Sequence, residues 1–429
     1  MKPTEHEKTA FDIFRERGFI DQTTDEKSLD ELLRGKTTCY IGFDPTASSF
    51  HVGNLVPIMS LAHMQRKNHR PIALVGGGTG LVGDPSGKSE MRQILTVEEI
   101  QRNAEAQKKQ FSRFLDFSND KALLLNNADW LTKLNYIDFL RDIGVHFSVN
   151  RMLTAESVKV RLETGLSFLE FNYQLLQAYD FWYLFKHYNC TIQMGGSDQW
   201  GNIVAGIDLI RRLEGKEANG ITFPLITTAD GRKMGKTEKG AIWLDPDRTS
   251  PYEYYQFWIN TDDRDVERFL ALFTFLPLEE IQEKYGKLEG ADLRKAKEAL
   301  ANAATEIVHG KEEADKARTA SKALFINVSD SLGTMESGTA GIETGSSVPT
   351  TTMEKRKFIE GVPIFKLFEV TGLCSSGSEA RRLIEQGGGY LDNNRVDKFD
   401  VLVKLDDFRG GNEVLLRAGK KKFHRIKIA

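Results

Sequence analysis

The sequence predicts an α/β protein with a parallel sheet, followed by a helical region and a small mixed α+β tail. Three observations carry this. Residues 37–43 (TTCYIGF) are β-branched and aromatic and read as a strand. Residues 53–68 place Leu55, Ile58, Met59 and Ala62 at helical spacing, with Pro57 near the helix start. Residues 71–75 (PIALV) form a second apolar strand that runs into Gly76-Gly77-Gly78. Strand, helix and strand joined by short connections make a parallel unit, and its ligands are expected where the strands end.

The remaining elements follow in order. Residues 95–190 read as mainly helical, and residues 191–204 as strand, glycine turn and helix. Charged amphipathic helices occupy 262–325. Residues 328–352 are rich in Ser, Gly and Thr and read as a linker reaching roughly 25–30 Å as a coil. From about Val362 a compact block begins, with a helix after Ser378, a Gly387-Gly388-Gly389 turn and alternating strand patterns. The expected domains are 1–225 (with an insert at about 120–165), 226–327, a linker at 328–355, and 356–429.

Bulk properties narrow the function. A chain of 429 residues exceeds one ordinary core. Its 40% hydrophobic and 28% charged content is that of a soluble globular protein. No apolar run approaches the roughly 20 residues that span a bilayer, so no membrane association is expected. The N-terminus has acids and no apolar core, unlike a secretory signal. Cys39, Cys190 and Cys374 are too few and too scattered for a disulfide framework or a zinc site. They fit a reducing cytoplasm. With a net charge of −3, a nucleic-acid surface requires local clustering of positive charge.

Two glycine motifs mislead. Gly78 to Gly83 satisfies G-x-G-x-x-G, which would suit a dinucleotide oxidoreductase. However, Asp84-Pro85-Ser86-Gly87 breaks the helix that a pyrophosphate would need. Residues 83–89 mimic a phosphate loop, but Val82 stands where that loop requires glycine.

The informative features are residues 40–54 (YIGFDPTASSFHVGN) and 233–237 (KMGKT). Thr46 and His51 lie near a helix start, where free N–H groups and the dipole favour an anion. Each could equally be an ordinary cap. Lys233 and Lys236 flank Gly235 in a turn, an arrangement that suits charge delivered to a transition state. In the aromatic-rich helix 170–188, most residues read as core. Tyr173, Gln177 and Asp180 stand at i, i+4 and i+7 and form a polar stripe that could line a pocket.

Residues 44–54 resemble the HIGH signature of class I aminoacyl-tRNA synthetases, and 233–237 their KMSKS loop. Further segments are similar to bacterial-type tyrosyl-tRNA synthetases: Tyr40 to Thr46, Gly83 to Lys88, Gln177 to Asp180, Gly195 to Asn202 and Ser250 to Asn260. The likeness runs from about residue 10 to 325. The tail is similar to an S4-like RNA-binding domain through Ser378 to Ile384.

The resemblance implies a Rossmann-like catalytic domain, a helical anticodon-side domain and the S4-like domain. It also implies a two-step ligase: tyrosine is activated with ATP and then transferred to tRNA(Tyr). Tyr40 and Asp180 would bind the tyrosine phenol. Asp84, Tyr173 and Gln177 would hold its ammonium group, with Asp44 close by and Gln199 near the carboxylate. Gly53, Gly196 and Asp198 would contact the nucleotide. Thr46, His51, Asn54, Lys88, Arg92, Lys233, Lys236 and Thr237 would serve the phosphates during catalysis. Asn127 would support Asp180. ATP enters as a substrate with Mg2+, and no protein-bound metal or organic cofactor is expected. Partners would be L-tyrosine, ATP, tRNA(Tyr) and a second copy in a homodimer, with the segment around Phe147 and Phe168 at the interface.

Departures are local. Asn54 replaces the second histidine of HIGH, Gly235 and Thr237 replace the KMSKS serines, and Ile41 stands where many relatives carry cysteine. Residues 417–427 hold Arg417, Lys420, Lys421, Lys422, Arg425 and Lys427 without an acid, a patch suited to RNA phosphates. Tryptophanyl-tRNA synthetases share the fold and loops, but Tyr40 with Asp180 and the tail favour tyrosine. A non-catalytic RNA-binding relative is disfavoured by Lys233, Lys236 and His51.

Overall fold

The computed structural model describes residues 8–86, 95–237, 240–330, 349–392, 394–408, 412–419 and 422–429. The chain divides into two compact units. The first holds residues 1–236, 241–245 and 261–296, and the second holds 237–240, 246–260 and 297–429. The division cuts across the expected helical domain, because 261–296 belong with the first unit.

The first unit is built on a six-stranded sheet: β1 (Gln22–Thr23), β2 (Thr38–Phe43), β3 (Arg70–Val75), β4 (Leu123–Asn126), β5 (Cys190–Gly196) and β6 (Asn219–Phe223). Its order is β1-β6-β5-β2-β3-β4, and every pairing is parallel except β1 with β6. β2 and β3 are almost continuously buried, as strands covered on both faces must be. The core beside them contains Tyr40, Ile72, Leu74, Trp130, Phe181, Leu184 and Ile210.

The order reverses between β2 and β5. A parallel sheet opens a crevice beyond the carboxyl ends of its strands at such a point. β2 ends there at Phe43 and β5 at Gly196.

Residues 95–190 are mainly helical, as expected, but include β4, whose leucines pair with Ile72, Ala73 and Leu74 of β3. Four residues are too short a run to separate strand from buried helix by periodicity. The expected insert contains helices Tyr136–Asp142, Val149–Met152 and Glu156–Thr164.

The second unit holds helices Pro251–Ile259, Leu293–His309 and Lys311–Asp330. Ser250 caps the first of these in a capping box with Glu253, and Pro251 stands at its start. The C-terminal block packs helices Ile364–Val370 and Gly377–Glu385 against a five-stranded sheet. Its core includes Phe358, Leu367, Phe368, Ile384, Leu416 and Ile426. The expected linker is narrower than 328–355, since the helix reaches Asp330 and a strand spans Thr350–Met353. Residues 331–348 lie outside the described residues.

Ile72 is fully buried at the centre of the sheet. Ile72→Ala is expected to destabilise the first unit by about 2–5 kcal/mol, read as a lower urea midpoint by tryptophan fluorescence.

Candidate active site

At the switch point lies a cavity of about 610 Å³. Strand ends supply Tyr40, Asp44 and Gly196, and one face of helix Tyr173–Tyr188 supplies Tyr173, Gln177 and Asp180. Thr46, His51, Gly53, Asn54, Asp84, Asn127, Asp198 and Gln199 complete the set of expected residues that line it. The polar stripe thus faces the pocket.

At the deep end, Asp180 is buried. Its Oδ2 accepts from Asn127 Nδ2 at 2.8 Å and its Oδ1 from Trp130 Nε1 at 2.7 Å. Burial pushes its pKa up to about 7, against the pull of these two donors. The Tyr40 hydroxyl is buried without a hydrogen-bond partner, and burial together with the nearby Asp180 charge raises its pKa well above the ordinary value. A buried hydroxyl and a buried carboxylate therefore face one pocket end, each able to serve an incoming polar group.

Asn127 joins this end to the next. Its Oδ1 accepts from Gly78 N–H at 2.7 Å, and its Nδ2 also donates to Thr79 Oγ1 at 2.9 Å. Thr79 Oγ1 donates to Asp44 Oδ1 at 2.8 Å, and Tyr173 OH to Asp44 Oδ2 at 3.0 Å. The glycine run is what permits this approach: a Cβ on Gly76 would lie 2.2 Å from Asp44 Oδ1.

A second chain runs through the amides. Asn202 Nδ2 donates to Gln177 Oε1 at 3.0 Å and Gln199 Oε1 at 3.2 Å. Gln199 Nε2 donates to Asp84 Oδ2 at 2.7 Å and Asp198 Oδ2 at 3.2 Å. Burial, then the Asp44 charge, raises the Asp84 pKa to about 6. Asp84 and Asp44 thus form an acidic wall suited to an ammonium group.

At the mouth, His51 N-caps the short 3-10 turn Val52–Asn54. Its Nδ1 accepts from Gly53 N–H at 2.9 Å, so a neutral ring carries its proton on Nε2. Asn54 Oδ1 accepts from His51 N–H at 3.0 Å, so the substituted residue also caps. Trp243 bridges His51 and lines the same wall.

The lysine loop is a hairpin. Thr227 bridges Lys233, and Met234 N–H donates to Ile226 O at 3.0 Å. Gly235 has φ +75°, and a Cβ there would lie 3.0 Å from Gly53 N. Serine, the residue of the KMSKS pattern, would be strained at this position. Lys233 is exposed and does not line the cavity. Lys88, Arg92 and the side chains of Lys236 and Thr237 lie outside the described residues.

The family model for class I tRNA synthetases (W and Y) matches residues 33–326. The chain belongs to the class I tRNA synthetases. A second model, the tyrosine--tRNA ligase SYY-like C-terminal domain, matches residues 342–426. The chain is 60% identical to a tyrosine--tRNA ligase of Desulfatibacillum aliphaticivorans over 97% of each chain. It is 56% identical to one of Syntrophus aciditrophicus (strain SB), over 98% of this chain and 99% of the relative. A C-terminally truncated Aspergillus nidulans mitochondrial tyrosyl-tRNA synthetase superposes with a TM-score of 0.68 at 34% identity, covering 74% of this chain and 94% of that one.

In this class I synthetase, sequence reasoning missed Thr79, Trp130, Gln193, Asn202 and Trp243 as cavity or support residues. Gln193 carried a usable signal, a polar residue inside an apolar strand, and its buried Oε1 has no partner. Trp130 carried none, since only folding brings it to Asp180.

The basic tail also needs correction. Arg417 is buried, its guanidinium 3.6 Å from the centre of the Tyr390 ring. Arg425 is buried and pairs with Glu413, as does Lys427. These cations alternate with the core residues Val414, Leu416 and Ile426, so they share the opposite face of the sheet, where Arg417 and Arg425 are nonetheless covered. Lys420 and Lys421 lie outside the described residues.

A carboxyl whose pKa rises on folding stabilises the fold only while protonated. That contribution is full below about pH 4, the unfolded value. It is lost as pH rises through about 6 for Asp84 and about 7 for Asp180. The melting temperature of the unliganded protein should therefore carry a downward contribution between pH 4 and 8. Asp84→Asn should flatten it, and superimposable melting profiles for the variant and parent would refute the assignment.

Proposed function

We infer that the chain is a tyrosine–tRNA ligase. In the first step the tyrosine carboxylate attacks the α-phosphate of ATP, forming tyrosyl-adenylate and releasing pyrophosphate. In the second, a hydroxyl of the terminal ribose at the tRNA(Tyr) 3′ end attacks the tyrosyl carbonyl and AMP leaves. Magnesium travels with ATP as part of the substrate. No protein nucleophile takes part, so catalysis consists of positioning and charge stabilisation.

The observation that carries this reading is the deep end of the cavity. A phenol there donates to Asp180 and meets the unpartnered Tyr40 hydroxyl. Phenylalanine would leave the Tyr40 hydroxyl buried and unpaired and would give Asp180 no further donor. The acidic wall of Asp84 and Asp44, with Tyr173 and Gln177, receives the ammonium group, and Gln199 lies near the carboxylate. Gly196 and Asp198 meet the ribose, with Gly53 also at the nucleotide. Thr46, His51 and Asn54, together with Lys88, Arg92, Lys233, Lys236 and Thr237, surround the phosphates. Lys233 is set back from the cavity, which suits a loop that closes on the bound nucleotide. The C-terminal domain holds the tRNA. The expected 1–225, 226–327 and 356–429 division is retained as a functional one.

ATP–pyrophosphate exchange tests the reading: L-tyrosine should drive it and L-tryptophan should not. Asp180→Asn should lower kcat/KM for tyrosine about ten- to hundredfold, the loss expected for a hydrogen bond to a charged group. Phenylalanine should be little affected, so selectivity should shrink. Tyrosine selectivity that survives the change would remove Asp180 from the phenol site.

The pattern of exposed apolar residues supports a homodimer, and the few, scattered cysteines suit the cytoplasm. Tyr136, Ile137, Val145, Val149 and Phe168 are each more than half exposed within the 136–169 segment. Clustered apolar exposure marks an interaction surface. Phe168→Asp should shift the sedimentation coefficient toward that of a monomer; an unchanged value would exclude Phe168 from the interface.

A further inference from the structure

The hairpin that carries Lys233 is tied to the fold at a point outside the cavity. Asp265 is 3% exposed, and its Oδ2 accepts from Ala229 N–H at 2.7 Å. Its Oδ1 accepts from Arg268 Nη2 at 2.7 Å. The same Arg268 nitrogen donates to the Thr227 carbonyl at 2.5 Å. An acid and a base three positions apart thus hold an N–H and a C=O at the hairpin base. Thr227 is also the residue that bridges Lys233.

The clamp stands on a rigid support. Arg268 belongs to helix Val266–Phe273, which buries Val266, Phe269, Leu270, Leu272 and Phe273. That helix packs on Leu55–Arg66, the helix that follows His51 and the 3-10 turn. Its far end is fixed by Arg17, which donates to the carbonyls of Ala271, Thr274 and Leu276. One helix pair therefore carries the histidine side of the phosphate site and, through Asp265 and Arg268, the base of the lysine side. Neither clamp residue lines the cavity.

We propose that Asp265 and Arg268 are positioning residues for the activation step, setting the reach of the lysine hairpin toward the departing pyrophosphate. The inference rests on the ATP-dependent ligase reading above. Lysine charge that acts at the transition state is sensitive to placement, and an error of about 1 Å can cost a hundredfold in rate. Tyrosine is held by other elements, so the clamp should alter the rate of activation and leave tyrosine affinity alone.

The experiment compares wild type, Asp265→Asn and Arg268→Lys. L-tyrosine affinity is measured by equilibrium dialysis, and tyrosine-dependent ATP–pyrophosphate exchange is measured well below the melting temperature of each variant. The expected result is a ten- to hundredfold loss of exchange rate with the tyrosine dissociation constant within about twofold of wild type. Combined with Lys233→Ala, each variant should lose less than the product of the single losses, because both changes act through one lysine. An active wild type with variants of unchanged rate overturns the clamp, as do losses that multiply with Lys233→Ala or a parallel loss of tyrosine binding. A wild type silent in exchange overturns the ligase reading itself, and the clamp with it.

Discussion

Asp180 is a buried carboxylate held by neutral donors, and the arrangement of the site depends on how it is tolerated. Two neutral donors, Asn127 and Trp130, take one oxygen each. Such bonds offset only part of the desolvation, which is why the pKa stays raised at about 7. Asn127 in turn holds Gly78 and Thr79, and Thr79 holds Asp44. The ends of β3 and β4 are therefore organised around a group on a distant helix. An apolar substitute at 180 would pack more easily, but the network would lose its centre.

That centre sits where the sheet order reverses. The crevice between β2 and β5 exists because their crossovers leave on opposite sides. Tyr40 on β2 and Gln193 on β5 are register partners across it, and both have a buried polar atom without a partner. Unpaired atoms of this kind are costly in a core and are retained where a ligand completes them. The His51 turn and the lysine hairpin occupy the open side of the same crevice. The deep end of the cavity and its mouth therefore share one sheet edge, and the hairpin and the Asp180 end draw on different supports.

Much of this was legible in the residues. The strand at 37–43, the helix after it and the strand at 71–75 follow from β-branched content, helical spacing and short connections. The stripe of Tyr173, Gln177 and Asp180 followed from helical geometry, because three residues on one face of a helix must share an environment. Capping by His51 was equally readable from its place before a helix. β4 was not, because three leucines and an asparagine carry no period. The tail was misread in part, because a count of cations ignores the neighbours that cover them: Arg417 lies over the Tyr390 ring and Arg425 pairs with Glu413.

The sequence by itself determined the class of sheet, the family and most of the residues that line the cavity, because these depend on local spacing and on motifs that are contiguous in the chain. Only the tertiary structure decided which groups support them. Trp130 reaches Asp180 across 50 positions, Asn202 reaches Gln177 across 25, and Asp265 reaches Ala229 across 36. Side chains that far apart in sequence meet only when strand order and helix packing are set. No local pattern encodes those partnerships.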